Sequence, residues 1–186
     1  MHNVDGGGGL LDIVRIGDKV IDINKIYRNI NKIIELRIRG KSQQEVANIL
    51  GIHRTFISRL EGLGEIRKGK SVALIGFPIK NKEEVENLCL KYGIEYNFLM
   101  SEEERWRFLQ DRSGLELFNK VLDIIAELRN YDLIITLFSD MRNSLVHKLL
   151  DKEIISIDIG QSPLTEDVEI DLKVIENILK LVKDRG

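Results

Sequence analysis

Four side chains between residues 54 and 59 have the chemistry to recognise the edges of base pairs. They are two arginines and two hydroxyl residues, Arg54, Thr55, Ser58 and Arg59. A helix that buries the intervening Ile57 turns these four side chains outward. Arginine can donate two hydrogen bonds to guanine, and serine or threonine can bond to several bases. The pattern therefore predicts a helix that enters the major groove of duplex DNA.

A shorter helix is predicted to lie directly before this one. Ser42 and Glu45 have the spacing of a capping box, in which each side chain bonds to the backbone amide of the other. The helix is therefore predicted to begin at Gln43. Gly51 supplies the turn that ends it, since glycine readily adopts a left-handed conformation.

The predicted recognition helix covers residues 53–62. His53 stands at its N-cap position, with a DNA contact and a simple cap as equal alternatives for its side chain. Ile52 and Ile57 have the spacing of a hydrophobic staple, which would fix the direction in which the chain enters the helix.

The segment QQEVANILGIHRTFISRLEG, within residues 42–62, resembles the helix-turn-helix of the Cro-like phage-repressor superfamily. The shared features are the small Ala47 where two helices cross, Gly51 in the turn and the inward Ile57. Val46, Leu50, Ile52 and Leu60 complete the internal face. The resemblance implies a bacterial-type transcriptional regulator in which Gln43 holds a DNA phosphate. The neighbouring Gln44 is included among the predicted DNA-binding residues.

Charge is unevenly distributed along the 186 residues, although the net charge is only −2. Residues 25–70 contain 11 lysines and arginines against four glutamates, a net charge of +7. Residues 71–186 contain 15 basic and 22 acidic side chains, a net charge of −7. This separation of charge indicates that the basic residues 25–70, and not the acidic residues 71–186, contact a polyanionic partner.

The stretch between residues 62 and 77 has two interpretations. It is either a linker or a wing that follows the recognition helix. In both cases its basic side chains are predicted to contact the DNA backbone, and these are Arg67, Lys68 and Lys70.

The C-terminal part alternates between apolar strands and amphipathic helices. Strands are predicted over 72–77, 94–100, 131–138 and 153–159. Four helix starts are predicted, marked by Asn81 with Glu84, by Ser101 with Glu104, by Ser139 and by Asp171. The apolar runs 72–77 and 131–138 lack alternation, which is typical of parallel strands covered on both faces. The predicted fold class is α/β. An N-terminal helical helix-turn-helix domain (24–71) follows residues 1–23, which are predicted to form a flexible leader (1–9) and a short hairpin (10–23). It precedes a small flavodoxin- or Rossmann-like parallel sheet with helices on both faces (72–186).

We find no catalytic constellation in the sequence. Ser139 and Asp140 could form a nucleophile pair, but a helix cap explains them better. The single Cys89 lies in an apolar helical stripe, which favours a buried structural thiol. No phosphate-binding glycine pattern or metal-ligand spacing occurs, so no cofactor, metal or catalytic residue is predicted.

The sequence therefore predicts a non-enzymatic, sequence-specific regulator that binds double-stranded DNA. Its α/β domain would serve for dimerisation or for sensing a small-molecule effector, and a homodimer is expected. The alternative is a nucleotide-binding or enzymatic α/β protein that uses the helix-turn-helix only for localisation. Without an apolar segment long enough to span a bilayer or a signal sequence, a cytoplasmic protein with no membrane partner is expected.

Overall fold

The computed structural model describes residues 12–65 and 71–183. The chain divides into two compact units, Met1–Glu65 and Ile66–Gly186. The leader predicted at residues 1–9 lies outside the described residues. Within the described ranges, no helix is both long and apolar enough to cross a membrane.

The N-terminal unit consists of a hairpin and three helices. Its elements are β1 (Ile13–Ile16), β2 (Lys19–Asp22), α1 (Ile23–Ile38), α2 (Gln43–Leu50) and α3 (Arg54–Gly64). The two strands pair antiparallel, so the hairpin predicted within residues 10–23 is present. Asp22 ends β2 and caps α1, since its Oδ1 accepts a 2.9 Å hydrogen bond from the Lys25 amide.

A small apolar core joins the three helices of this unit. Ile33 of α1, Val46 and Ala47 of α2, and Ile57 of α3 are all buried. Ala47 leaves room for the close contact between α2 and α3, because a larger side chain would push the two helices apart. The core is small, so the unit depends on well-defined helix ends as well as on burial.

The C-terminal unit is a four-stranded parallel sheet flanked by helices. Its elements are β3 (Val72–Gly76), α4 (Lys82–Lys91), β4 (Tyr96–Leu99), α5 (Glu102–Gln110), α6 (Gly114–Leu128), β5 (Leu133–Phe138), α7 (Asp140–Leu149), β6 (Glu153–Asp158) and α8 (Leu172–Lys183). The strand order is β4-β3-β5-β6. After β3 the chain adds β4 along one edge of β3, and it then crosses over to add β5 along the opposite edge. This reversal creates a topological switch point between β3 and β5.

The two central strands are buried along their whole length, as their unbroken apolar runs predict. Leu74 and Ile135 pack on one face with α4 and α8, where Cys89 lies. Ile75 and Ile134 pack on the other face with α6 and α7. Burial raises the pKa of the Cys89 thiol to about 11, which agrees with a structural role.

Two details of the helices differ from the prediction. One helix was predicted between β4 and β5, but the chain forms two, α5 and α6, and the second begins at its own capping box of Ser113 and Glu116. Asn81 precedes α4 without capping it through its side chain. Its amide group instead bonds to the backbone of Ile170, with Nδ2 2.9 Å from the carbonyl oxygen and Oδ1 2.8 Å from the nitrogen.

Candidate nucleic-acid interface

The predicted capping box of α2 is confirmed. The Glu45 amide donates to Ser42 Oγ at 3.2 Å, and the Ser42 amide donates to Glu45 Oε2 at 2.8 Å. The backbone hydrogen bond from Ser42 and the side-chain hydrogen bond from Lys41 lower the pKa of Glu45 to about 2. The start of α2 is thus fixed by reciprocal bonds between neighbouring residues.

The turn between α2 and α3 also agrees with the sequence prediction. Gly51 has φ 66° and ψ 35°, the left-handed region in which glycine carries no steric cost. His53 is the N-cap residue of α3 and makes no cap hydrogen bond through its side chain. Ile52 and Ile57 share one apolar cluster, as expected for a hydrophobic staple.

Helix α3 has one buried side and one exposed polar side. Ile57 is completely buried and Leu60 is partly buried against the same core. The four predicted recognition residues are exposed, namely Arg54, Thr55, Ser58 and Arg59. An exposed aromatic side chain that the sequence analysis did not single out, Phe56, lies on the same helix and is 51% exposed. Its exposure could have been inferred from the sequence, because Phe56 directly precedes the inward Ile57 and so does not share its side of the helix.

A chain of polar contacts connects the three helices at Glu61. The Glu61 carboxylate accepts hydrogen bonds from Arg37 Nε and, at 2.7 Å, from Gln43 Nε2. These two bonds hold the pKa of Glu61 below its usual value. Gln43 Oε1 in turn accepts a 3.3 Å bond from Arg54 Nε. The side-chain amide of Gln43, expected to meet a phosphate, is thus engaged at both ends within this unit.

Several basic side chains of the N-terminal unit form ion pairs with acidic neighbours. Ion pairs join Arg28 to Asp22, Arg37 to Glu61, Arg39 to Glu35 and Lys41 to Glu45. Within residues 25–65, the basic side chains that form no ion pair with a described residue are Lys25, Lys32, Arg54 and Arg59. Two of these four lie on α3, so the uncompensated charge includes the predicted recognition surface.

The remaining predicted contact residues have different outcomes. Gln44 is exposed at the start of α2, and its Nε2 donates a 3.0 Å hydrogen bond to Asn48 Oδ1. Arg67, Lys68 and Lys70 lie outside the described residues, as does most of the stretch that could form a wing or a linker.

Comparisons with known proteins add nothing to this geometry. No protein-family model, curated protein or solved structure matches the chain.

The candidate nucleophile pair in the C-terminal unit, Ser139 and Asp140, is not joined by a hydrogen bond. The Ser139 hydroxyl is buried and has no hydrogen-bond partner among the described residues. Asp140 Oδ1 accepts bonds from the amides of Met141 and Ser162, at 2.7 and 2.9 Å. Ser139 is the N-cap residue of α7, but its side chain makes no cap bond.

Proposed function

We propose that this protein is a sequence-specific, double-stranded DNA-binding transcriptional regulator with α3 as its recognition helix. The observation that carries the proposal is the division of α3, which buries Ile57 and exposes Arg54, Thr55, Ser58 and Arg59. A helix of this kind fits the major groove, where each base pair presents a distinct pattern of donors and acceptors. The Cro-like arrangement proposed from the sequence likewise has Ile57 facing inward and these four side chains facing outward.

In this proposal, the exposed side chains of α3 make different kinds of contact with DNA. Arg59 forms no ion pair with a described residue and is available for a bidentate contact with guanine. Arg54 reaches the same surface from the first turn, close to Gln43 and the start of α2. Thr55 and Ser58 add short donors and acceptors that suit several bases. Phe56 adds an apolar contact of the type that meets a thymine methyl group.

Loss of a recognition arginine tests this proposal. Arg54→Ala and Arg59→Ala should each weaken binding to a selected genomic duplex by about 1–3 kcal/mol, the cost of losing a bidentate contact. Fluorescence anisotropy with the full chain, repeated over a salt series, measures the affinity and its electrostatic part.

Arg39→Ala is the matched control, because Arg39 is exposed in the same unit but pairs with Glu35. It should change affinity much less than either α3 variant. Equal losses in all three variants would mean that the protein responds to overall charge only. Unchanged affinity in both α3 variants would rule out α3 as the recognition helix.

We further propose that the protein binds DNA as a homodimer. One short helix contacts few base pairs, and two-fold symmetry doubles the recognised site, with half-sites about 34–36 Å apart. Exposed apolar side chains that a second copy would cover occur in the hairpin and on α6, including Ile16, Val20, Leu115 and Phe118. In this proposal the C-terminal unit has no catalytic role and serves dimerisation or effector sensing.

Sedimentation of the full chain measures the predicted assembly. The expected species has twice the 21.4 kDa mass of one chain and occupies two half-sites on one duplex. A protein that stays monomeric at micromolar concentration and saturates an isolated half-site would contradict the dimer.

A further inference from the structure

The C-terminal unit contains an apolar cavity at the carboxyl ends of its strands. Its volume is about 400 Å³. Side chains from the ends of β3, β4 and β5 and from α5, α6 and α7 form its walls, and they include Phe77, Met100, Phe108, Val121, Phe138 and Leu145. Cavities of this size bind small molecules, and the carboxyl ends near a switch point are where open parallel sheets hold them.

Two arginines interrupt the apolar wall. Arg105 of α5 is 13% exposed and pairs with Glu102, which is 15% exposed. Arg142 of α7 forms neither an ion pair nor a hydrogen bond with a described residue, and its Nη1 is buried without a partner. Its guanidinium instead lies 5.2 Å from the centre of the Phe77 ring. Arg142 is partly buried, so leaving its guanidinium without an anion is costly, and no described residue pairs with it.

The charges around the cavity indicate what that partner is. Burial, followed by the positive charge of Arg105, lowers the pKa of Arg142, while Glu102 opposes this effect. Two guanidinium groups and one carboxylate leave a single positive charge beside an apolar space. An apolar molecule with one negative charge matches both the positive charge and the apolar space. A carboxylate suits the charge, because a planar guanidinium pairs with it through two parallel hydrogen bonds.

We propose that this cavity binds a monocarboxylic acid with an apolar body. The carboxylate pairs with Arg142 beside Arg105, and the hydrocarbon part contacts the aromatic and aliphatic walls. The binding site stands independently of DNA recognition, and only its role as an effector site rests on the proposed function.

A second copy of the chain is the competing occupant. Leu145 and Leu149 of α7 and Val121 of α6 line the cavity and are about half-exposed, so an apolar partner surface could cover them. Such a surface would bury Arg142 further without neutralising it. The unpaired guanidinium therefore favours the acid.

The wild-type protein allows a test that needs no variant. Trp106 is the single tryptophan of the chain, and its indole Nε1 donates a 2.9 Å hydrogen bond to Glu102 Oε1. Its fluorescence should change saturably as hexanoate, octanoate or decanoate binds, with calorimetry as a second readout. Decanol, which matches decanoate but lacks the charge, should bind at least about tenfold more weakly, because it loses a charge-assisted hydrogen bond.

Arg142→Met adds a second, independent test. It keeps an unbranched, flexible side chain but removes the guanidinium and its charge, and it should weaken decanoate binding by about tenfold while leaving decanol binding unchanged. Arg107→Met is the control, since Arg107 is 62% exposed on α5 and pairs with Glu103. If Arg142→Met does not fold, the comparison of decanoate with decanol still decides.

Two results would overturn the proposed site. One is equal binding of decanoate and decanol. The other is no saturable binding of any of the acids. A dimer that Leu145→Glu dissociates would then assign the cavity to a second copy.

DNA titration with and without decanoate then separates the two proposals. A change in DNA affinity supports the effector role, whereas decanoate binding with unchanged DNA affinity overturns that role and retains the site. A protein that binds decanoate but no duplex would contradict the proposed function alone.

Discussion

Asn143→Ala is expected to lower the free energy of unfolding of the C-terminal unit by about 2–4 kcal/mol, because it leaves several buried polar groups without partners. Asn143 is 3% exposed. Its Oδ1 accepts a 2.7 Å hydrogen bond from Thr136 Oγ1. Its Nδ2 is 3.2 Å from the carbonyl oxygens of Phe138 and Ile157 and 2.6 Å from Asp158 Oδ1. One side chain thus connects α7 to the carboxyl ends of β5 and β6.

Urea unfolding followed by tryptophan fluorescence measures this effect, because Trp106 lies in the C-terminal unit and reports on that unit alone. Asn119→Ala on the exposed side of α6 is the matched control and should leave the transition unchanged or slightly raised. Equal midpoints for Asn143→Ala and wild type would show that the network adds nothing to stability.

Gly76→Ala is expected to cost about 3 kcal/mol, the upper end of the usual range for an overpacked core. Gly76 ends β3 and pairs in register with Leu137 of β5. A Cβ atom at Gly76 would lie 2.6 Å from Leu137 Cβ and 2.9 Å from the Leu137 carbonyl oxygen. The oxygen belongs to the backbone of a buried strand, so the clash is relieved only by moving β3 away from β5.

Gly114→Ala provides the comparison for this variant. Gly114 begins α6, and a Cβ atom there meets no other atom within 4 Å. Its replacement should leave stability unchanged or raise it slightly, since alanine favours helices. If both glycine variants unfold at the same urea concentration as wild type, the close approach of β3 and β5 is not required.

The sheet was largely predictable from the sequence because burial on both faces leaves an unmistakable pattern. The central strands β3 and β5 read as unbroken apolar runs, whereas the edge strands β4 and β6 are partly exposed and gave weaker signals. The start and end of α2 were also predictable, since a capping box and a left-handed glycine depend on residues close in sequence.

Features that depend on distant residues were not predictable in the same way. Asn81 has the sequence environment of a helix cap, but its amide bonds to Ile170, 89 residues away. Glu61 reads as an ordinary surface residue of α3, and its contacts with Arg37 and Gln43 follow from the packing of three helices.

The same limit applies to both sites. The sequence predicted which side of α3 faces outward, because that follows from helical periodicity and the apolar Ile57. It did not reveal the partnerless Arg142, because whether an arginine has a partner depends on which carboxylates the fold brings near it. The second helix after β4 was missed although Ser113 and Glu116 mark its start, and that helix supplies one wall of the cavity.

The unequal bonding of the polar residues around α3 has a consequence for how this protein can diverge. Gln43 and Arg54 are connected through Glu61 to α1, so replacing either one disturbs the joint between helices. Thr55, Ser58 and Arg59 make no side-chain hydrogen bond or ion pair with the described part of the chain. Under the proposed DNA-binding function, we expect duplicated copies of such a gene to acquire new target sequences through these three positions first, since exchanging them removes no internal contact from the fold.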